Sequence, residues 1–143
     1  MRQEGLPAPV AETRLAIAEA AVACDYKGLE ELTLGGGDFI YSFGGSVPPT
    51  PGEAAEFWRD GEEREDQILA TLVKLLELPY ARRGGDYVWP SAFKDNPTEA
   101  DWYALEAVYT RARIESFKEF GGYIGLRIGI GPKGDWKFFV DGD

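Results

Sequence analysis

The amino-acid sequence predicts an α+β fold, in which the helices of a single domain pack on a small curved antiparallel sheet that a C-terminal β-hairpin closes. Apolar residues recur at helical spacing in several segments before position 121, whereas residues 122–140 alternate in the manner of β-strands. The chain has 143 residues, of which 44% are hydrophobic, and these are enough for one core. We expect residues 1–9 to form a flexible lead-in and residues 10–143 to form the domain.

The first 80 residues are predicted to form four helices and one short strand. The first helix spans residues 10–24 and is expected to bury a set of apolar side chains: Leu15, Ile17, Ala18, Ala21 and Val22. Asp25 caps a second, short helix, after which the glycines at 35–37 predict a turn and DFIYSF, residues 38–43, a strand. Thr50 starts the third helix as an N-cap. The fourth helix buries an apolar stripe: Ile68, Leu69, Leu72, Leu75 and Leu76.

The second half of the chain is predicted to hold a small hairpin, a helix and the closing hairpin. Residues 80–89 form either a hairpin that turns at its two adjacent glycines or one strand after a loop. The helix begins at the capping pair Thr98 and Asp101. Ile114, Phe117 and Phe120 extend it, either directly or after a kink, as far as Gly121, whose backbone can supply a left-handed C-cap.

The closing hairpin, GYIGLRIGIGPKGDWKFFV at residues 122–140, pairs two alternating strands across a turn at residues 131–135. Parity predicts that Ile128 faces Phe138, so that the apolar sets of both strands lie on the core side. A slip of one residue would bury Lys137 instead, and the cost of burying that charge favours the predicted register.

Two glycines on the outer face of this hairpin, Gly125 and Gly129, need an explanation, because glycine weakens a strand. The predicted register places Phe139 on that face, across from Arg127 and diagonal to both glycines. One interpretation is that Phe139, or a helix crossing close to the strand, fills the room that the glycines leave. The other is a shallow recess floored by glycine, in which Arg127 is a cationic handle for a ligand.

The second interpretation defines a candidate ligand-binding site of five residues: Arg127, Phe139, Tyr123, Trp89 and Tyr41. Arg127 would hold an anionic or carbonyl group, and the rings would supply apolar contact. Trp89 belongs to YVWPSAF, residues 87–93, the densest aromatic segment outside the hairpin. That segment could line a cleft, although aromatic clusters of this size more commonly form core.

The charge distribution argues against binding to nucleic acid or to anionic membranes. The formal net charge is −10, and it is concentrated in residues 1–72, which hold 14 acids and 5 bases against 11 and 10 in residues 73–143. A field of this sign repels phosphate backbones and acidic lipid headgroups. No stretch approaches the roughly 20 apolar residues of a membrane span, and the start, MRQEGLPAPV, shows no signal peptide.

The residue inventory lowers the expectation of catalysis. The chain has no histidine, which removes the commonest general base and zinc ligand. Its single cysteine, Cys24, permits neither an internal disulfide nor a thiolate zinc site. The acidic run DGEERED, residues 60–66, lacks the spacing of a calcium loop, so no metal and no cofactor are expected. Capping and turn roles account for the aspartates that flank predicted elements: Asp38, Asp86, Asp95 and Asp101.

Residues 16–43, AIAEAAVACDYKGLEELTLGGGDFIYSF, resemble the start of domains similar to nuclear transport factor two, in which a long helix, a D-Y-x-x-L turn and a first strand precede a curved sheet. The resemblance implies a cystatin-like α+β roll with an apolar pocket used for binding or for acid–base catalysis. The helices predicted before the last hairpin depart from that roll, and the family's catalytic aspartate–histidine pair cannot form here. Residues 87–93 and the tail, YIGLRIGIGPKGDWKFFVDGD, resemble an uncharacterised set of bacterial proteins, many of them exported.

Three functional hypotheses remain open. The first is a soluble, non-catalytic module that binds a small molecule or a protein partner through the face that carries Arg127. The second is a small histidine-free enzyme of isomerase or hydrolase type, in which a buried carboxylate of raised pKa acts with Tyr41 or Arg127. The third is a self-associating domain whose aromatic residues form a homodimer face. The bacterial resemblance implies export; without it, a cytoplasmic location is expected.

Overall fold

The structure, a computed structural model, describes residues 5–34, 40–42 and 68–140. The predicted turn at residues 35–37 and the helix predicted from Thr50 lie outside the described residues. The described helices are α1 (Ala8–Val22), α2 (Tyr26–Leu34), α3 (Ile68–Glu77), α4 (Glu99–Ala104) and α5 (Arg111–Phe120). The described strands are β1 (Ile40–Ser42), β2 (Ala81–Arg83), β3 (Asp86–Trp89), β4 (Arg127–Ile130) and β5 (Trp136–Val140), and two 3₁₀ turns span Ser91–Phe93 and Leu105–Ala107.

The strands form one open sheet in the order β1–β5–β4–β3–β2. The four strands β2 to β5 pair antiparallel, so the predicted α+β class with an antiparallel sheet closed by a C-terminal hairpin is confirmed. At one edge, however, β1 pairs parallel to β5, and there the expectation of an antiparallel sheet is wrong. Strands joined by a tight turn must run antiparallel, whereas β1 is separated from β5 by most of the chain and is free to arrive in the parallel sense.

The pairing of β4 with β5 differs from the predicted register. Ile128 faces Phe139, and Gly129 faces Phe138. The prediction that Ile128 and Phe138 share the core side is therefore wrong. The Phe139 ring is fully buried, and Phe139 pairs with Ile128 across the hairpin.

A β-bulge explains the difference. Ile130 pairs with Trp136, which leaves Lys137 as an extra residue on β5. Trp136 and Phe139 are three residues apart, and both are buried. Lys137 is not drawn inward, because its ammonium group lies 2.7 Å from the carboxylate of Asp135. The bulge thus brings to the core two rings that strict alternation would place on opposite faces.

Two helices contact the sheet, α1 at β4 and α2 at β5, and α3 packs on α1. The apolar stripe predicted on α3 is buried at all four of its described side chains: Leu69, Leu72, Leu75 and Leu76. On α1, Ile17 and Ala21 are buried as predicted, but Leu15 and Val22 are 53% and 71% exposed. Alanines of α1 itself occur on all sides of the helix, so the apolar pattern of its sequence does not define one buried face.

Arg14 is buried at the junction of α1 and α3. Its Nε and Nη2 donate to the carbonyl oxygen of Leu76 at 2.8 and 2.5 Å. Burial lowers the pKa of the guanidinium, and the nearby carboxylate of Glu77 opposes that shift. The last carbonyls of a helix lack partners within the helix and attract cations, so Arg14 both satisfies the end of α3 and ties it to α1.

The helix boundaries in the second half follow local caps. Thr98 and Asp101 form the predicted capping box at the start of α4. The single helix expected from there to Gly121 is instead two helices. The hydroxyl of Thr110 accepts the N–H of Arg113 at 3.2 Å and starts α5 anew. Gly121 ends α5 with a φ of 110°, as predicted.

Candidate functional site

The structure separates the residues of the predicted site. Trp89 and Phe139 are 0% exposed in the core and Tyr123 is 4% exposed, whereas Arg127 is half-buried. Tyr41 occupies the β1 register position beside Phe139. Arg127 precedes a buried core residue of β4, so it lies on the opposite face of the sheet, which we call the outer face. The expectation that Phe139 shares this face with Arg127 is therefore wrong, because the bulge turns that ring into the core.

Phe138 takes the outer-face position that was predicted for Phe139. A Cβ atom built on Gly129 would overlap Cε2 of the Phe138 ring and lie 2.5 and 2.7 Å from its Cζ and Cδ2. The glycine thus leaves room for a ring, and the ring occupies the space in which a recess was predicted. The packing interpretation is right that a neighbour fills this room, but both of its predicted occupants, Phe139 and a crossing helix, are wrong at Gly129, where Phe138 is the occupant.

Gly125 makes room for two tyrosines. A Cβ atom at this position would lie 2.7 Å from the hydroxyl oxygens of both Tyr109 and Tyr123. The N–H of Leu126 donates to Tyr109 at 3.0 Å, and the hydroxyl of Tyr123 donates to the Leu126 carbonyl at 2.5 Å. The Tyr109 hydroxyl is then the donor to Tyr123 at 3.1 Å. This closed cycle of three hydrogen bonds holds the backbone that leads into β4.

Four side chains converge on the outer face, and we call them the outer-face cluster: Arg83, Phe93, Arg127 and Phe138. The two phenylalanine rings make an edge contact, with centroids 6.0 Å apart. The Cζ atoms of Arg83 and Arg127 lie 4.4 and 4.9 Å from the Phe93 centroid, within cation–π range. The two guanidinium carbons are therefore no more than about 9 Å apart. Two cations share one aromatic ring on this face.

Tight turns place the members of this cluster. Gly84 and Gly85 adopt φ values of 60° and 90° between β2 and β3, and this two-residue hairpin fixes the face on which Arg83 lies. After β3, the 3₁₀ turn Ser91–Phe93 folds Phe93 back over the sheet, with its N–H donating to the Pro90 carbonyl. Arg83 is not among the predicted site residues, although alternation from the glycine turn is enough to assign its face. No local signal in the sequence indicates that the 3₁₀ turn places the ring of Phe93 against the ring of Phe138.

The cations of the outer-face cluster are held differently. Arg127 donates from Nη1 to the Gly125 carbonyl at 2.9 Å. Arg83 lies 4.0 Å from the carboxylate of Asp95, whose side chain is 85% exposed, and its own side chain is 44% exposed. An exposed pair of this length is worth about 0–1 kcal/mol. A guanidinium stacked on a ring presents its N–H groups in the plane, where they fit a carboxylate with two parallel hydrogen bonds.

Asp101 is the buried carboxylate among the described residues. It accepts hydrogen bonds from the Ser91 hydroxyl at 2.8 Å and the Thr98 N–H at 2.7 Å, and its ion pair with Lys94 measures 2.9 Å. Burial acts to raise its pKa, but the bonds from Lys94, Thr98 and Ser91 outweigh burial and hold the pKa at about 2. The raised pKa expected of an acid–base catalyst is absent at this residue, which serves as a helix cap.

Within residues 5–34, 40–42 and 68–140, no group of His, Cys, Asp and Glu side chains is arranged to hold a metal ion. None of the helices described there combines the length and apolarity needed to cross a bilayer. Comparison of the chain with protein-family models, curated proteins and solved structures gave no match. The resemblances to domains similar to nuclear transport factor two and to exported bacterial proteins stay hypotheses.

Proposed function

We propose that the protein is a non-catalytic binding module whose outer-face cluster docks an acidic segment of a partner protein. One observation carries the proposal: Arg83 and Arg127 converge on Phe93, beside the half-buried ring of Phe138. Arginine and aromatic residues, phenylalanine among them, are enriched at protein interfaces relative to the rest of the surface. Here both kinds occur together on a solvent-accessible face.

Carboxylates are the groups that this cluster suits best. Stacking on Phe93 restricts both guanidinium groups before a partner arrives, so less side-chain entropy is lost on binding. The ion pair of Arg83 with Asp95 is long and exposed, and an incoming carboxylate can replace it at small cost. The half-buried rings of Phe93 and Phe138 supply the apolar contact beside the charge.

Charge and shape favour a protein partner. Residues 73–143, which contain the cluster, are nearly balanced, with 11 acids and 10 bases, so most of the chain's acidic excess lies in residues 1–72. Phe138 fills the space above Gly129, which leaves a shallow surface rather than the concave site that small molecules usually require. A small carboxylate is the alternative that the experiment must separate.

The test is a titration of the isotopically labelled chain with a blocked tetrapeptide of alternating aspartate and phenylalanine, followed by NMR. We expect shifts at the backbone amides of Arg83, Phe93, Arg127 and Phe138. Arg83→Ala and Arg127→Ala should each weaken binding about five-fold, which corresponds to about 1 kcal/mol for a partly exposed ion pair. The tetrapeptide with asparagine in place of aspartate should bind the unsubstituted protein no more tightly than the aspartate peptide binds the arginine variants.

Arg82 provides a matched control. It adjoins Arg83 on β2 but lies over the ring of Tyr87, 4.2 Å from its centroid, and Tyr87 faces the core. Arg82→Ala therefore removes the same charge one residue away and should leave binding unchanged. If Arg82→Ala and Arg83→Ala lose the same amount of peptide affinity, the loss reflects net charge alone, and the proposal is overturned. If benzoate binds as tightly as the peptide does, the ligand of the cluster is a small carboxylate and not a protein segment.

A further inference from the structure

A second surface feature is independent of the outer face. The helices α4 and α5 and the 3₁₀ turn between them enclose a cleft of about 250 Å³. Its floor includes Trp102 and Ile114, which are 8% and 4% exposed, and Tyr103, 72% exposed, stands at its rim. The volume is slightly below the lower limit of about 300 Å³ for drug-sized ligands, so the cleft suits a smaller molecule with an apolar body.

The charges that line the cleft are unevenly matched. At one end Arg111 pairs with Glu106 at 3.5 Å. At the other end a single ammonium group, that of Lys118, lies 3.5 Å from the carboxylate of Glu99 and 3.4 Å from that of Glu115. The second end therefore carries one negative charge more than its own cation balances. The net charge of the whole chain, −10, adds an attraction for cations.

Lys118 shows which chemistry the cleft accommodates. Its Nζ lies 6.0 Å from the Trp102 ring centroid while it is held between two carboxylates. The face of an indole ring attracts a cation within about 6 Å, and neighbouring carboxylates attract it by their charge. The ammonium group of Lys118 thus acts as an internal occupant of the cleft, because it takes the position in which the ammonium group of a ligand would bind. Lys118 is attached to α5, and the apolar floor of the cleft stays available to the rest of a ligand.

We infer that the cleft between α4 and α5 binds a small primary amine with an aromatic or alkyl body. The ligand ammonium interacts with Glu99 and Glu115, and its body lies over Trp102 and Ile114 against Tyr103. The site and its ligand class are separate from the outer-face cluster, so each proposal can fail without the other.

Phenethylamine is the probe, and 3-phenylpropionate, which carries a similar body with the opposite charge, is its counterpart. Both are titrated into the full chain, with the Trp102 indole and Tyr103 signals followed by NMR. We expect phenethylamine to shift these signals in a saturable and salt-sensitive manner. 3-Phenylpropionate should have little effect. Equal shifts from both compounds, or shifts confined to other residues, would overturn the proposal.

Charge variants make the test sharper. Glu115→Gln should weaken phenethylamine binding about two- to five-fold, as expected for loss of an exposed ion pair. Glu119→Gln is the matched control, because Glu119 is an exposed acid of the same helix that does not line the cleft. Lys118→Met removes the internal occupant and should strengthen binding several-fold. Weaker binding in that variant would show that Lys118 supports the ligand instead of competing with it, and the inference would be wrong.

Discussion

Substitution of Gly129 by alanine tests the packing of the outer face directly. The new methyl group would overlap the Phe138 ring, with 2.5 Å to Cζ and 2.7 Å to Cδ2. Phe138 must then rotate away and lose its edge contact with Phe93. Overpacking of this kind costs about 1–3 kcal/mol. Replacing glycine in a strand recovers about 0.5–1 kcal/mol of chain entropy. The midpoints of these two ranges give a net loss of about 1 kcal/mol.

Urea unfolding followed by tryptophan fluorescence measures this loss, and a lower midpoint without a change in slope would assign it to the folded state. Gly122→Ala is the control, because a Cβ atom at Gly122 meets nothing within 4 Å. It should be neutral or slightly stabilising. A double-mutant cycle with Phe138→Ala isolates the ring as the cause. Once that ring is removed, Gly129→Ala should no longer destabilise the protein.

Two results would refute the argument. If Gly129→Ala costs nothing when Phe138 is present, the ring does not occupy the space above the glycine. If the cost is the same in the Phe138→Ala background, another neighbour or the backbone itself is responsible. Either result would also remove the structural support for a shallow, filled outer face.

Two further predictions concern polar networks. The pKa of Asp101 is held at about 2, below its value of about 3.9 in an unfolded chain. Its carboxylate therefore contributes roughly 2–3 kcal/mol above the unfolded pKa and loses this contribution as the pH falls through 2. Asp101→Asn should cost about that much at pH 7 and progressively less towards pH 2 in urea titrations. Tyr123→Phe should cost about 1–2 kcal/mol, because the Leu126 carbonyl loses its donor. Since Tyr109 belongs to the same cycle, the double variant with Tyr109→Phe should lose less than the sum of the two single losses, and simple additivity would contradict the cycle.

Local signals made much of the fold predictable from the sequence. Asp25 caps α2 by accepting the N–H of Gly28 at 2.9 Å, and Thr98 with Asp101 starts α4. The left-handed Gly121 ends α5. Each of these features depends on residues within one turn of each other, so the chain specifies them wherever the segment finally lies.

The candidate site was less predictable, because it depends on contacts between distant segments. The sequence places one glycine, Gly129, where a ring can lie, but alternation alone assigned that position to Phe139 rather than Phe138. Alternation along a strand also gave no reason to expect Arg83 beside Phe93, since Arg83 belongs to β2 and Phe93 to the 3₁₀ turn after β3.

The sequence by itself determined where α2 and α4 begin and where α5 ends, that a hairpin closes the chain, and that glycines on one strand face must accommodate a neighbour. Only the tertiary structure decided which ring that neighbour is. Trp136 and Phe139 both find space in the core, and the gain from burying two large rings favours a bulge that strict pairing would not contain. The physical reason is that caps and turns are satisfied within a few residues, whereas a strand register is selected by the shape of the space that the rest of the chain provides.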